Sequence, residues 1–306
     1  LDKKPDGIYL YGVDYDLTQE FESPAVFYPD KENGILVGAI PNTPDFGYFG
    51  YLKKMVLTLF NVTMMEQGKM PYHGALVKII LRNKKQATLL IIGDSGAGKS
   101  ETLTAFGTIG SAHIQDMIVI ADDMGALELN PDGSITGYGT EIGAFLRLDD
   151  LSPGYAFGQI DRAIIMSPNK TNARILLPIT TYENVISGYK VDYILYANNY
   201  EEPGEGKPII EKFETADQAI SVFEQGRVAS KGTTDTKGII QSYFANIFGP
   251  PEYREEHDEL AKKFFNSAFD TGIFVGQMRT RLGIPGFEKQ GPQEAAEELL
   301  KTISGD

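Results

Sequence analysis

The sequence predicts a mixed α/β fold, and three observations lead there. A glycine-rich loop is entered by an apolar strand-like run, Ala87 to Gly93, and left by a helix-like run beginning near Lys99. Strand and helix patterns elsewhere come in mixed order rather than strict βαβ alternation, which makes a doubly wound sheet the weaker expectation. No fixed period recurs and no low-complexity tract is present, which sets solenoids and fibres aside. At 306 residues the chain is long enough for one large unit or two domains, either with a sizeable core.

Taken in order, GILVGAI reads as a strand and IPNTPDFGYFG as a Pro/Gly loop. From Tyr51 to Met65, Leu52, Val56, Leu59 and Phe60 recur at helical spacing behind a polar face carrying Lys53 and Lys54. Strands are expected at Gly74–Leu81, Ala87–Gly93 and Met117–Asp123. ALELNPDGSITGYG follows as a hairpin around an NPDG turn. Ala173–Thr180, Val191–Asn198 and TGIFVG complete the strands. Helices are expected over Ala216–Gln225, Ile239–Phe248, Tyr253–Ser267 and Pro292–Thr302, with Pro292 suited to a first helical position. NNYEEPGEGKP and ASKGTTDTKG read as exposed loops.

Composition narrows the function. With 42 Asp+Glu against 28 Lys+Arg the formal charge is −14, which repels nucleic acids and anionic membranes, so any anion must be held by a local positive site. The absence of cysteine removes thiolate nucleophiles, disulfides and Cys-based zinc sites, and the cytoplasm is the default expectation. The longest apolar runs fall far short of the roughly 20 residues that span a bilayer, so a soluble protein without membrane partners is expected.

The chemistry-bearing stretch is Gly93-Asp94-Ser95-Gly96-Ala97-Gly98-Lys99-Ser100, a full Walker A pattern followed by Glu101. Loop N–H groups and the helix N-terminus cradle phosphate oxygens, Lys99 adds a point charge, and Ser100 can ligate Mg²⁺. Asp122 and Asp123 end an apolar strand, where carboxylates lie beside the phosphates if that strand neighbours the loop strand; the alternative is a strand-end turn. Of three histidines, His113 and His257 lie in polar surroundings and read as surface residues, whereas His73 precedes a strand and is ambiguous. Taken singly, Lys54 reads as a solvated helix face and Arg174 as a strand-end charge or a phosphate partner.

Together these residues resemble the phosphoenolpyruvate carboxykinase superfamily, and specifically its ATP-dependent carboxykinases, over most of the chain. Tyr48-Phe49-Gly50-Tyr51-Leu52-Lys53-Lys54 resembles the family segment Tyr-x-Gly-Glu-Met-Lys-Lys, with Tyr51 at the usual Glu. His73 in Met70-Pro71-Tyr72-His73 follows Lys54 at the family spacing. IIGDSGAGKS, Ile120-Ala121-Asp122-Asp123 and Asn172-Ala173-Arg174-Ile175-Leu176-Leu177-Pro178-Ile179 resemble three further family blocks, in the same order. The resemblance implies a carboxykinase-like P-loop nucleotide-binding domain over residues 69–306, preceded at 1–68 by a partial amino-terminal substrate domain. It implies ATP, Mg²⁺ and Mn²⁺ as cofactors. Lys54, His73 and Asp123 would bind Mn²⁺, with Lys54 neutral, a form favoured by the nearby cation and by burial. Lys99 and Ser100 would hold the triphosphate and Mg²⁺, Arg174 would neutralise the moving phosphoryl, and Tyr48 and Ser95 would line the substrate side. The implied reaction converts oxaloacetate and ATP to phosphoenolpyruvate, CO₂ and ADP, without a protein nucleophile.

Three features depart from that family. The chain upstream of Tyr48 is too short for most of its amino-terminal domain, which carries the arginine that grips the substrate carboxylate, so either that part is missing or the substrate differs. Met124 and Gly125 replace a Glu-His pair, and Gln277–Gly286 matches the base-binding segment poorly. SGxGKSE, the His73-Gly74 pair and Ala121-Asp122-Asp123 also resemble HPr kinase/phosphorylase, where an acid acts as base toward a seryl hydroxyl. A hydroxyl kinase is therefore the alternative, and a nucleotide-binding module without catalysis is a third reading.

Overall fold

The computed structural model describes residues 4–21, 23–109, 113–147, 163–166, 173–230, 238–247 and 249–305. Its backbone divides into two units, Leu1–Lys69 with Phe248–Leu260, and Met70–Ile247 with Ala261–Asp306. The sequence reading divided the chain after residue 68 and did not foresee the return of Phe248–Leu260 to the first unit.

In the first unit β1 (Gly7–Val13), β2 (Val26–Asp30) and β3 (Ile35–Pro41) form a sheet in the order β1-β3-β2, with β1 parallel and β2 antiparallel to β3. Leu36, Gly38 and Ile40 alternate inward along β3. Helix α1 (Phe49–Glu66) covers them, and a Cβ on Gly38 would lie 2.7 Å from Met55 Sδ, so only glycine admits the helix this closely. The buried stripe is Met55, Leu59 and Val62, while Val56 is 46% exposed. Of the expected stripe, Leu59 is buried, Leu52 and Phe60 are half-buried, and Val56 is the position corrected. The helix is apolar almost all round, so its sequence admits two phases, and packing against Gly38 selects one.

The second unit begins with β4 (Met70–Leu81), β5 (Gln86–Ile92), α2 (Lys99–Ile109), β6 (Ile114–Ala121), β7 (Met124–Leu129) and β8 (Ile135–Gly139). It continues through β9 (Gly143–Arg147), β10 (Ile164–Met166), β11 (Arg174–Pro178), α3 (Tyr182–Ile186), β12 (Tyr189–Lys190), β13 (Tyr193–Asn198) and β14 (Ile210–Lys212). Helix α4 (Ala216–Gln225), β15 (Arg227–Ala229) and β16 (Ile239–Gln241) precede helix α5 (Arg254–Asp270), whose residues up to Leu260 belong to the first unit, and β17 (Phe274–Arg279) and α6 (Gln290–Ser304) follow. Among the described residues nine strands make one mixed sheet, β12-β8-β7-β4-β5-β13-β17-β14, with β6 also paired to β4. β13 runs parallel to both β5 and β17, while β4 is antiparallel to β5, β6 and β7. The mixed α/β class holds.

Strand β4 is the spine of this unit. One edge takes β5; the other takes β7 beside residues 70–73 and β6 beside residues 76–81. Helix α2 buries Leu103 and Phe106 against Ala295, Leu299 and Ile303 of α6 and the strand residues Leu89 and Ile91. Truncation of the fully buried Phe106 to Ala is expected to cost about 3–5 kcal/mol, read as a lowered midpoint in urea unfolding.

Two local expectations are corrected here. The helix expected over Ile239–Phe248 is absent from its described part, 239–247: Ile239–Gln241 pairs antiparallel with β15, and a tight turn follows at Tyr243–Ala245. Tertiary pairing of the β-branched Ile239 and Ile240 outweighs the helical spacing. His257 is buried, at 2% exposure, because it belongs to the α5 stripe of Leu260, Ala261, Phe264 and Ala268 despite its charged sequence neighbours. Helix α6 starts at Gln290, which places Pro292 within its first turn, where the missing N–H costs nothing. The predicted loop ASKGTTDTKG falls largely outside the described residues, as does Asn172. No helix among the described residues is long and apolar enough to cross a membrane.

Candidate functional site

The direction of the strands gathers the site. β5 and β6 are both antiparallel to β4 and so run the same way, and β13 and β17 run with β5. The carboxyl ends of β6, β5, β13 and β17 therefore open at one end of the sheet, the place where α/β sheets take their ligands. The glycine loop Gly93–Gly98 leaves β5 there, and Asp122 and Asp123 fill the two-residue seam between β6 and β7.

The loop is shaped by glycine and pinned by neighbouring strand ends. Gly96 and Gly98 have φ of 77° and 100°, and a Cβ on Gly98 would sit 2.7 Å from Thr280 Oγ1. Thr280, just past β17, donates its hydroxyl to the Ala97 carbonyl at 2.7 Å. Asn199, just past β13, donates to the Gly96 and Ala229 carbonyls at 2.9 and 3.0 Å and accepts from the Ala229 N–H at 2.8 Å. Asp94 is buried and turned inward: one carboxylate oxygen accepts the Ser95 N–H at 2.7 Å and the other the Ser242 hydroxyl at 2.9 Å. Ser95 is exposed at the loop crest, and Glu101 lies in the first turn of α2, where its charge suits the helix dipole.

Lys99 is 6% exposed and folds over its own loop, donating to the Gly93 and Asp94 carbonyls at 2.5 and 3.2 Å. A buried ammonium needs such acceptors, and an incoming phosphate would offer better ones. The first turn of α2 adds N–H groups that no intrahelical carbonyl can satisfy.

Two donor pairs flank the loop. Ser100 Oγ lies 3.4 Å from Asp122 Oδ1, and Asp122 is buried. His73 Nε2 lies 3.0 Å from Asp123 Oδ1, while Nδ1 faces the Ala245 carbonyl, which can only accept, so Nδ1 carries a hydrogen and Nε2 is the atom presented to the acid. The His73 carbonyl accepts from Gly93 N–H at 3.2 Å and Asp123 O from Gly74 N–H at 2.8 Å, which ties loop, histidine and acid to one stretch of β4. His73 is buried, whereas the Asp123 side chain keeps 33% of its surface open.

These pairs suit divalent cations of two kinds. The all-oxygen pair of Ser100 hydroxyl and Asp122 carboxylate is the donor type that Mg²⁺ accepts, whereas the imidazole nitrogen of His73 beside the Asp123 carboxylate suits a softer first-row ion such as Mn²⁺, and its 3.0 Å matches the spacing of adjacent ligands on bonds of about 2.1 Å. Among the described residues no three His, Asp or Glu side chains converge, so each pair would supply only part of a coordination shell. The carboxylates of Asp94 within the loop, of Asp122 beside Ser100 and of Asp123 beside His73 also disfavour a triphosphate unless cations accompany it.

The remaining predicted residues lie on other elements. Tyr48 is the N-cap residue of α1 in the first unit, packed edge-on to Tyr51 at 6.4 Å. Lys54 is exposed on α1, so the burial invoked to favour its neutral form is not present. Arg174 opens β11 in the separate sheet β10-β11-β9, with its guanidinium 5.5 Å from the Phe145 ring centre. Gly125 has a packing reason: a Cβ there would meet the Tyr72 hydroxyl at 2.1 Å and the Tyr138 carbonyl at 2.2 Å. Burial raises the Tyr72 phenol far above its ordinary pKa, so it stays neutral while donating to Tyr138 O at 2.9 Å.

Sequence reasoning missed Asn199, Thr280, Ser242 and Ala245. The first two directly follow central strands, and the carboxyl-end rule could have flagged them. The other two lie in a segment misread as helix. There Phe244, Ala245 and Asn246 have φ of 45°, 58° and 67°, a run of left-handed non-glycine residues that costs about 1–3 kcal/mol each. Packing of the buried Phe244 ring, 5.0 Å from Tyr243 and 6.5 Å from Phe265, helps to hold it. Arg227 was not foreseen either; it stacks at 5.0 Å on Tyr200, whose pKa is raised mainly by burial.

Comparison with protein-family models and with curated proteins returned no match to this chain.

Proposed function

We propose that the chain catalyses ATP- and divalent-metal-dependent phosphoryl transfer of the carboxykinase kind, taking oxaloacetate and ATP to phosphoenolpyruvate, CO₂ and ADP. The observation that carries this reading is the pairing of Ser100 with Asp122 and of His73 with Asp123 on either side of one glycine loop. Ser100 and Asp122 would hold Mg²⁺, and His73 and Asp123 would hold Mn²⁺. Bound there, the cations would neutralise phosphate charge and polarise the acceptor oxygen.

The chain's own residues then position and neutralise. Lys99 exchanges the Gly93 and Asp94 carbonyls for phosphate oxygens. Asn199 and Thr280 keep the loop from spreading as the phosphates enter. Loss of CO₂ from oxaloacetate leaves an enolate, whose oxygen takes the γ-phosphoryl as the bond to ADP breaks, so no side chain need become covalently modified. Lys54, Tyr48 and Arg174 enter this reading by resemblance alone.

The test is a coupled assay with ATP, oxaloacetate and Mn²⁺. Phosphoenolpyruvate is expected, and chelation by EDTA should abolish it. Asp123→Asn should weaken Mn²⁺ binding at least about 10–100-fold in a calorimetric titration. Protein that binds MgATP yet forms no phosphoenolpyruvate under these conditions would sink the carboxykinase activity.

One observation favours a second reading, a kinase for a hydroxyl acceptor. The Asp123 carboxylate is the open one, backed by His73, and could take a proton from a small metabolite or a seryl hydroxyl. Label moving from [γ-³²P]ATP to a hydroxyl acceptor, and not to oxaloacetate, would select it. Turnover of ATP by either route that vanishes in Lys99→Ala would exclude a catalytically silent binding module.

A further inference from the structure

The left-handed turn after β16 touches both halves of the candidate site. Ser242 donates its hydroxyl to Asp94 in the glycine loop at 2.9 Å, and three residues on the Ala245 carbonyl accepts from His73 Nδ1. The two contacts are joined inside the turn, since Ala245 N–H donates to Ser242 O at 3.0 Å. Ser242 is anchored in turn by its own N–H, which donates to Gly226 O at 3.2 Å. A left-handed conformation at three successive non-glycine residues is unfavourable, and it is in this conformation that the Ala245 carbonyl faces the His73 ring.

We propose that Ser242–Asn246 is a positioning element that fixes the glycine loop and the His73 ring relative to each other. Ser242 acts through Asp94, whose other oxygen holds the Ser95 N–H; Ala245 acts through the hydrogen on Nδ1, which leaves Nε2 directed at Asp123. A shift at one end of the turn is transmitted to the other. The proposal gives a reason for the strain and for an aspartate in the loop, where a side chain facing phosphate would be expected to be neutral or basic. Its functional meaning rests on the nucleotide-and-metal reading above.

The test uses nuclear magnetic resonance of the full chain, following the Ser95 amide and the His73 imidazole. The three histidines make the imidazole region simple, and His73→Gln assigns its line. Ser242→Ala removes the contact to Asp94, and the expected result is a shift of the distant His73 line as well as of the Ser95 amide. Ala245→Val disfavours the left-handed conformation, and it should move the Ser95 amide as well as the His73 line. Ala245→Gly accepts the same φ and should leave both signals in place, which separates turn geometry from loss of folding. In the first two variants the Kd for MgADP, measured by calorimetry, should rise about 5–10-fold. If each substitution moves only its nearer probe, the turn is two unrelated contacts and the proposal is overturned. MgADP that fails to bind the unaltered protein overturns the nucleotide reading instead, and the cross-shifts still judge the turn.

Discussion

Replacement of Lys99 by alanine is expected to lower ATP-dependent turnover by about 10²–10³-fold, with thermal stability changed far less than activity. The side chain is buried against the two carbonyls of its own loop, so two effects are superposed. On the proposed function the phosphates would lose their fixed ammonium, which is the larger loss because it acts on charge that shifts during transfer. The Gly93 and Asp94 carbonyls lose a donor, which is modest because both can accept water once the side chain is gone. Arginine in its place should not restore activity, since its planar fork is bulkier than the point charge the loop encloses. Steady-state kinetics, with calorimetric MgADP binding alongside, distinguish the outcomes. A Lys99→Ala protein that keeps its turnover would remove the glycine loop from the mechanism.

Gly226→Ala should give the largest loss of stability among single-methyl additions. Gly226 ends α4 with φ of 50°, and a Cβ there would lie 1.6 Å from the Ser242 carbonyl oxygen and 2.8 Å from Ala245 N. Neither neighbour is the far end of a flexible side chain, so backbone must move. The left-handed penalty of about 1–2 kcal/mol adds to an overpacking cost of about 1–3 kcal/mol, for a total of about 2–5 kcal/mol. Thermal unfolding should show a midpoint lowered by several degrees. A midpoint within a degree of the parent would mean that the turn yields easily, which would contradict the packing described for it.

What could be read from the sequence divides along physical lines. Strands β4, β5, β13 and β17 were legible because buried apolar runs bounded by turns have few alternative readings, and α2 because a glycine loop precedes it. The phase of α1 was not, because Met55 and Val56 are equally apolar and only the approach at Gly38 decides between them. Ile239–Gln241 was misread because it and its partner β15 are strands of three residues, too short to show a period of two. The same division holds at the site. Gly93 to Ser100, Asp122, Asp123 and His73 are announced by residue type and spacing, and the fold brings them to one end of β4. Ser242, Ala245, Asn199 and Thr280 have unremarkable side chains, and what they do depends on hydrogen bonds to backbone from distant segments. Arg174 was legible as a type, yet its sheet is a separate one.

The seam between β6 and β7 has a mechanical consequence. Because both strands are hydrogen-bonded to β4 up to its edges, Asp122 and Asp123 hang from a joint only two residues long, and the sheet would have to shear for them to advance. The acids form an anvil. On the proposed function, any travel needed to close the gap between phosphate and acceptor would therefore be made by the ligands, and a residue inserted into the joint would throw both carboxylates out of register at once.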